Sequence, residues 1–226
     1  VEAVIEKNIA GQTLSLLADR ALFWQEAKTL FVADVHFGKA AHFRAEAVAV
    51  PGGSTTTDIN RLSSLLNQTG AVRLVVLGDL IHSRKGRSPA TFKVVRDWRQ
   101  EHADVEMILV RGNHDARSGD PPADWQIKTV SEPFIDGPFA LCHHPQASTI
   151  GYVLSGHIHP SALLVGYGGL KERLPCFLFR ADHAILPAFG SLTGLGRIDI
   201  KESDDVFVIA EGEVIEVSKR GAQVAD

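Results

Sequence analysis

Five short clusters rich in metal-binding side chains punctuate the chain: Asp34-Val35-His36, Gly78-Asp79-Leu80-Ile81-His82, Gly112-Asn113-His114-Asp115, Cys142-His143-His144 and Gly156-His157-Ile158-His159. Asp34 and His36 can converge on one cation if the backbone turns between them. Asp79 brings a second carboxylate able to bridge a pair of cations about 3.5–4 Å apart, the separation that two-metal phosphoryl-transfer sites use. Asn113 adds an amide oxygen, and His143, His157 and His159 add imidazole nitrogens, with His144 as the alternative to its neighbour His143. A mixed oxygen and nitrogen donor set without thiolate suits manganese, iron or zinc better than magnesium or calcium. Two divalent cations facing two carboxylates leave such a site positive, which attracts an anionic phosphate ester without need of a side-chain nucleophile. His114, beside Asn113, is free to protonate the leaving oxygen, and Asp115 is expected to orient or polarise that imidazole.

Each cluster follows an apolar, β-prone run: Leu30-Phe31-Val32, Leu74-Val75-Val76-Leu77, Met107-Ile108-Leu109-Val110, Phe139-Ala140-Leu141 and Tyr152-Val153-Leu154. All five are therefore expected where strands end and loops begin, the place where α/β proteins carry their chemistry. Between the runs, residues Phe37 to Ala47 read as a helix. Ser54 reads as an N-cap, with Ile59, Leu62, Leu65 and Leu66 at helical spacing and Gly70 as the stop. Ser88-Pro89 opens another helix, whose Phe92, Val95 and Trp98 face inward. These strand-helix-strand crossovers imply a mostly parallel core sheet. Beyond Gly156, the runs Ala162 to Val165, Cys176 to Phe179, Ala184 to Leu186 and Val206 to Ile209 are separated by turn residues. They predict a largely antiparallel C-terminal third, joined by the N-terminal segment Val4 to Leu17.

The chain has 226 residues, 45% of them hydrophobic and 22% charged, enough to bury one core, so a single domain over residues 1–226 is expected. No apolar stretch is long enough to span a bilayer and the N-terminus lacks a basic-then-hydrophobic leader, so a cytoplasmic protein without membrane contact is expected. Cys142 and Cys176 sit beside apolar residues and read as reduced core thiols. A net charge of −4 contains no broad basic excess, so a large nucleic-acid-coating surface is not implied. Local basic groups remain: Lys39, His42 and Arg44 follow the first cluster, and Arg84-Lys85-Gly86-Arg87 the second. Lys39, Arg44, Arg84, Lys85 and Arg87 are candidates to hold a polyanion, the alternative being solvated surface charge.

The five clusters in this order resemble the calcineurin-like metallophosphoesterase superfamily, whose pattern reads DxH, GD, GNH[DE], H and GHxH. The stretches Val32 to Arg44, Gly78 to Ser83 and Leu186-Pro187-Ala188-Phe189-Gly190 further resemble the bacterial PdeM subgroup of ligase-associated DNA-damage-response endonucleases. The resemblance covers about Leu30 to Gly190. It implies a four-layer α/β/β/α sandwich of two mixed β-sheets flanked by helices. It also implies that Asp34, His36 and His159 hold one metal, that Asn113, His143 and His157 hold the other, and that Asp79 bridges. His114 would be the catalytic histidine, and His82 would contact substrate phosphate, position water or serve as a structural histidine. The implied cofactors are two divalent ions, manganese first, with iron or zinc as alternatives. The implied activity is phosphodiester hydrolysis, with DNA as substrate in a repair setting, and an ATP-dependent DNA ligase, a helicase and an exonuclease as partners. The competing readings are a phosphodiesterase or phosphatase acting on a small nucleotide or metabolite, and a non-catalytic scaffold in a ligase or helicase complex.

Overall fold

The computed structural model describes residues 4–217. The chain opens with four strands joined by short turns, β1 Ile5–Ile9, β2 Gln12–Leu17, β3 Ala21–Trp24 and β4 Thr29–Val32. Helices α1 Lys39–Ala45 and α2 Ser54–Thr69 lead to β5 Arg73–Leu77, and α3 Pro89–Glu101 leads to β6 Glu106–Val110. Helix α4 Asn113–Ser118 then precedes β7 Ile127–Val130. These seven strands form one sheet in chain order, antiparallel from β1 to β4 and parallel from β4 to β7.

A second sheet uses β8 Phe134–Asp136, β9 Phe139–Leu141, β10 Tyr152–Ser155, β11 Pro160–Val165, β12 Lys171–Phe179, β13 His183–Ile185 and β14 Gly196–Arg197, with the hairpin β15 Asp205–Ala210 and β16 Glu213–Glu216 attached through β12. Strand β10 lies parallel to both β9 and β13, while β12 runs antiparallel to β11, β13 and β15. The C-terminal third is thus largely antiparallel, as the turn spacing predicts.

Alternation along the central strands decides what each face buries. Phe31, Val75, Leu77, Ile108 and Val110 point between the sheets, where they meet Phe139, Leu141, Leu154, Phe177, Phe179 and Phe207. Their neighbours Leu30, Val32, Leu74, Val76, Met107 and Leu109 point outward onto Ile59, Leu62, Leu65 and Leu66 of α2 and Val95 and Trp98 of α3. Helical cover therefore lies over the first sheet. The outer face of the second carries a smaller cluster, Ala162, Cys176, Leu178, Ile185, Val206 and Val208, packed by Ile198 and Ile200 from the loop after β14.

Two expectations are corrected. The segment Val4 to Leu17 does not join the antiparallel C-terminal strands: it extends the first sheet through β3. Tight turns at Ala10-Gly11 and before Ala21 fold each strand back on its sequence neighbour, which fixes local pairing over a distant one. The cap of α2 is Gly53, at φ 92°, and Ser54 is already helical. Ser88 does cap α3, its side chain accepting the Thr91 N–H, with Pro89 in the first turn.

Candidate metal centre

The parallel strands β4, β5 and β6 of one sheet and β9 and β10 of the other release their chains toward a common edge; four of the clusters lie in the loops that follow, and the third caps and opens α4. Asp34, His36, Asp79, His157 and His159 have φ between 53° and 70°, a left-handed conformation that costs roughly 1–3 kcal/mol per residue outside glycine. The loops hold one another in that shape. The Asp34 N–H donates to the Gly78 carbonyl at 3.2 Å and the His36 N–H to the Asp79 carbonyl at 2.9 Å, which lays the first two clusters side by side. Behind them, the Phe189 and Gly190 amides donate to the Ala33 and Asp34 carbonyls at 2.8 and 3.2 Å.

That backing segment is fastened in turn by α2. Buried Asp58 accepts from the Ser191 amide at 3.0 Å, while Arg61 pairs with Asp58 at 3.3 Å, donates to the Phe189 carbonyl at 3.0 Å and lies over the Phe189 ring. Asp58→Ala would leave the Ser191 amide without its carboxylate and Arg61 with only the more exposed Asp19, 3.3 Å away, as a carboxylate partner, and is expected to lower unfolding stability by about 1–3 kcal/mol in urea titration.

The two carboxylates share a design. Asp34 uses Oδ2 to accept the His157 N–H at 2.8 Å, and Asp79 uses Oδ1 to accept the His114 N–H at 2.8 Å. Their other oxygens face imidazoles. Asp34 Oδ1 lies 3.4 Å from His159 Nε2, and Asp79 Oδ2 lies 3.5 Å from His143 Nε2 and 4.0 Å from both His36 Nε2 and His114 Nε2. Asp34, fully buried, has no hydrogen-bond donor to Oδ1 among the described residues. An orphaned carboxylate oxygen in a buried pocket of lone pairs is a costly arrangement that a cation resolves.

Donor atoms converge in overlapping groups, each within 4.8 Å: Asp34, His36 and His159; Asp34, Asp79 and His143; His143, His144 and His157; and His36, His82 and His114. Asn113 joins through Oδ1, 3.0 Å from His143 Nε2, which is also 3.0 Å from His157 Nδ1. His143 is fully buried, and its Nδ1 lies 3.1 Å from the Leu77 carbonyl, an acceptor that calls for a proton on Nδ1 and leaves the Nε2 lone pair for the site. Burial, reinforced by Lys39 and the neighbouring histidines, pushes His36 far below the ordinary imidazole range and His82 down to about 4. Neutral imidazoles are the form that binds metal. Lys39 itself is lowered by burial and partly restored by the charges of Asp34 and Asp79, which puts its ammonium within electrostatic reach of the site.

Close approach explains the motif glycines. A Cβ on Gly78, at φ 83°, would stand 2.0 Å from His143 Nδ1, and one on Gly112 would stand 2.3 Å from Asp79 Oδ1. Gly78→Ala is therefore expected to cost at least about 2 kcal/mol from the left-handed backbone and the clash together, read as a fall in melting temperature.

Asp115 is placed differently from the sequence expectation. Its carboxylate does not serve the His114 ring. It accepts the amides of Asp79 at 2.8 Å, Gly112 at 3.0 Å and Ile81 at 3.1 Å, stitching the second cluster to the third, and burial pushes its carboxyl up to about 6. The His114 ring is oriented by a backbone group instead, Nδ1 lying 2.6 Å from the His82 carbonyl. The His82 ring stacks on His114 at 5.0 Å and stands edge-on to His36 at 5.1 Å.

The basic rim is partly committed elsewhere. Arg87 donates to the carbonyls of Ser118, Gly119 and Asp120 at 2.9–3.1 Å and covers the Phe92 ring, so it fastens the end of α4. Arg84 donates to the Arg117 carbonyl at 3.0 Å, and Lys85 pairs with Glu46 at the surface. Arg44 is exposed. Glu132, in the link between β7 and β8, had no sequence signal. It accepts the amides of His143 and His144 at 2.7 and 2.9 Å and stands 2.7 Å from His144 Nδ1.

Strand-end carboxylates and imidazoles around an uncompensated buried oxygen, at the edge of two mixed sheets, form a site fitted to hold metal ions. Residues 27–145 match the calcineurin-like phosphoesterase family, and the chain belongs to it. Among solved structures it is similar to the nuclease MPE of Pseudomonas putida, with 40% identity over 95% of this chain and 100% of that one and a TM-score of 0.83. It is also similar to YfcE, a phosphoesterase from E. coli, with 18% identity over 84% of this chain and 97% of that one and a TM-score of 0.44. No curated protein matches the chain. No helix among the described residues is long and apolar enough to cross a membrane.

Proposed function

We propose that this chain is a dinuclear-metal phosphodiesterase that cuts DNA endonucleolytically in a repair setting, with a ligase, a helicase and an exonuclease as candidate partners. The observation that carries the reading is Asp79 Oδ2, which stands between the Asp34-His36-His159 group and the Asn113-His143-His157 group. In this assignment those two groups would hold one divalent ion each, with Asp79 contributing to both. Bound divalent ions would activate a water and offset charge on the phosphoryl oxygens, and manganese is the first candidate.

The chain's own residues supply the rest. His114, anchored through Nδ1, presents Nε2 to the leaving oxygen as proton donor. His82 holds that ring by stacking. Lys39 adds positive charge toward the substrate phosphate. The DNA assignment is supported by the 40% identity to a nuclease along nearly the whole chain and by Arg44 and Lys85, which are exposed on the segments that follow the first and second clusters, Lys85 in a surface pair with Glu46. A small nucleotide is the second reading, favoured by the commitment of Arg87 and Arg84 to backbone carbonyls, which leaves fewer cations for a long polyanion.

Manganese-dependent nicking of supercoiled plasmid, measured beside turnover of a small chromogenic diester, separates the two. Arg44→Ala combined with Lys85→Ala is expected to weaken plasmid nicking several-fold and flatten its salt dependence while sparing the small diester. Equal loss on both substrates would count against a DNA-binding rim, and turnover of the diester with untouched plasmid would move the substrate to a metabolite. Arg87 is left intact in that test because its removal would loosen α4 as well.

A further inference from the structure

The assignment above leaves one well-built pair unused. His144 follows the buried His143, yet its ring turns toward the same side of the site, 4.7 Å from the His143 ring and 4.4 Å from the His157 ring. One nitrogen from each of these three histidines lies within 4.8 Å of the others. The His144 side chain is 43% exposed, so nothing in the fold requires it to be packed there. It is held by Glu132, whose Oε1 is 2.7 Å from its Nδ1 and whose Oε2 takes the amides of both His143 and His144. A carboxylate accepts at Nδ1, so the proton sits there and the lone pair is left on Nε2. Metal-binding histidines are oriented by an outer carboxylate in this way.

We propose that His144 is a further ligand of the second cation, oriented by Glu132, and that this cation is bound by three imidazoles. The inference rests on the dinuclear reading and deepens it. The cations then become chemically unequal. The first meets the carboxylate of Asp34 and the imidazoles of His36 and His159, with Asp79 shared. The second meets His143, His144 and His157, with Asn113 and the shared Asp79. Imidazole-rich sites favour zinc and its neighbours, whereas oxygen-rich sites favour manganese, so the second site selects zinc more strongly than the first does.

The decisive measurement is metal binding rather than turnover. Metal-free wild type, His144→Ala and Glu132→Gln would be titrated with zinc and separately with manganese by calorimetry, with cobalt absorption spectra as an independent report of nitrogen ligation. Wild type is expected to bind two zinc ions. In His144→Ala one equivalent should weaken by about 10- to 100-fold, with a smaller change for manganese and a changed cobalt spectrum, while the other equivalent stays. Glu132→Gln should weaken that same equivalent. Two unchanged zinc equivalents and an unchanged cobalt spectrum in His144→Ala would overturn the proposal and leave the dinuclear reading standing. Fewer than two ions on the wild type would overturn both. Because His144 is half exposed, His144→Ala is expected to fold, and an unchanged melting curve of the metal-free variant checks this.

Discussion

Asp79→Ala is expected to reduce ester hydrolysis on the order of 10³-fold and to lower the bound metal from two ions to one or none, measured by elemental analysis of the same preparation. Three features concentrate that effect in one residue. Its Oδ2 faces His143 on one side and His36 and His114 on the other, so in the proposed assignment it is the carboxylate that would join the two ligand groups. Its Oδ1 fixes the His114 amide, so the first turn of α4 is anchored to the same side chain. Its backbone, left-handed at φ 55°, is held by the Asp115 carboxylate on its amide and by the His36 amide on its carbonyl. Alanine keeps that backbone but removes both oxygens, so the loss falls on the site more than on the fold. Asp79→Asn separates the roles: it retains an oxygen for the His114 amide but lacks the negative charge that would lie between two cations. It is expected to lose metal as alanine does while keeping the melting temperature of the metal-free wild type. A variant that kept both ions and full turnover would remove Asp79 from the bridging position.

The positions of the expected ligands were legible because each follows an apolar run whose strand character is unambiguous, and parallel strands deliver their C-terminal ends to one edge. What sequence could not show is what those side chains lean on. Asp115 follows His114 directly, which suggests a partnership, but consecutive residues on a helix point about 100° apart. At the third position of α4, Asp115 instead turns back to the Gly112 amide and on to Asp79 and Ile81. Glu132 and Asp58 act through space, from the β7–β8 link and from α2, so no spacing rule reaches them. Arg87 reads as one more cation in a basic run, yet only the fold brings the carbonyls of Ser118, Gly119 and Asp120 under it. The segment Val4 to Leu17 was recognisable as part of a sheet, though not its division into β1 and β2 or the strand β3 beyond it. Which sheet it joins was not legible, because alternation reports a buried face and not the identity of the neighbour.

His114→Ala is expected to slow hydrolysis of a diester with an alkoxide leaving group, such as the DNA backbone, by about 10²–10⁴-fold while leaving bound metal unchanged. The size of the loss should depend on the leaving group, and that dependence identifies the role. A poor leaving group needs a proton as its bond to phosphorus breaks, whereas a nitrophenolate is stable without one. The variant should therefore be far less impaired on a nitrophenyl diester than on DNA. Local geometry prepares His114 to donate that proton. The His82 carbonyl fixes Nδ1 and the ring's plane, stacking on His82 restrains its tilt, and the side chain is 34% exposed at the mouth of the site. Its Nε2, 4.0 Å from Asp79 Oδ2, also lies near enough to the His36 side of the site that a metal-ligand role has to be tested directly. A ligand would lose metal on replacement and would slow both substrates alike. Retained metal with a leaving-group-dependent loss assigns the proton, whereas lost metal with equal losses would assign a ligand and leave the leaving oxygen to be protonated by another group or by solvent.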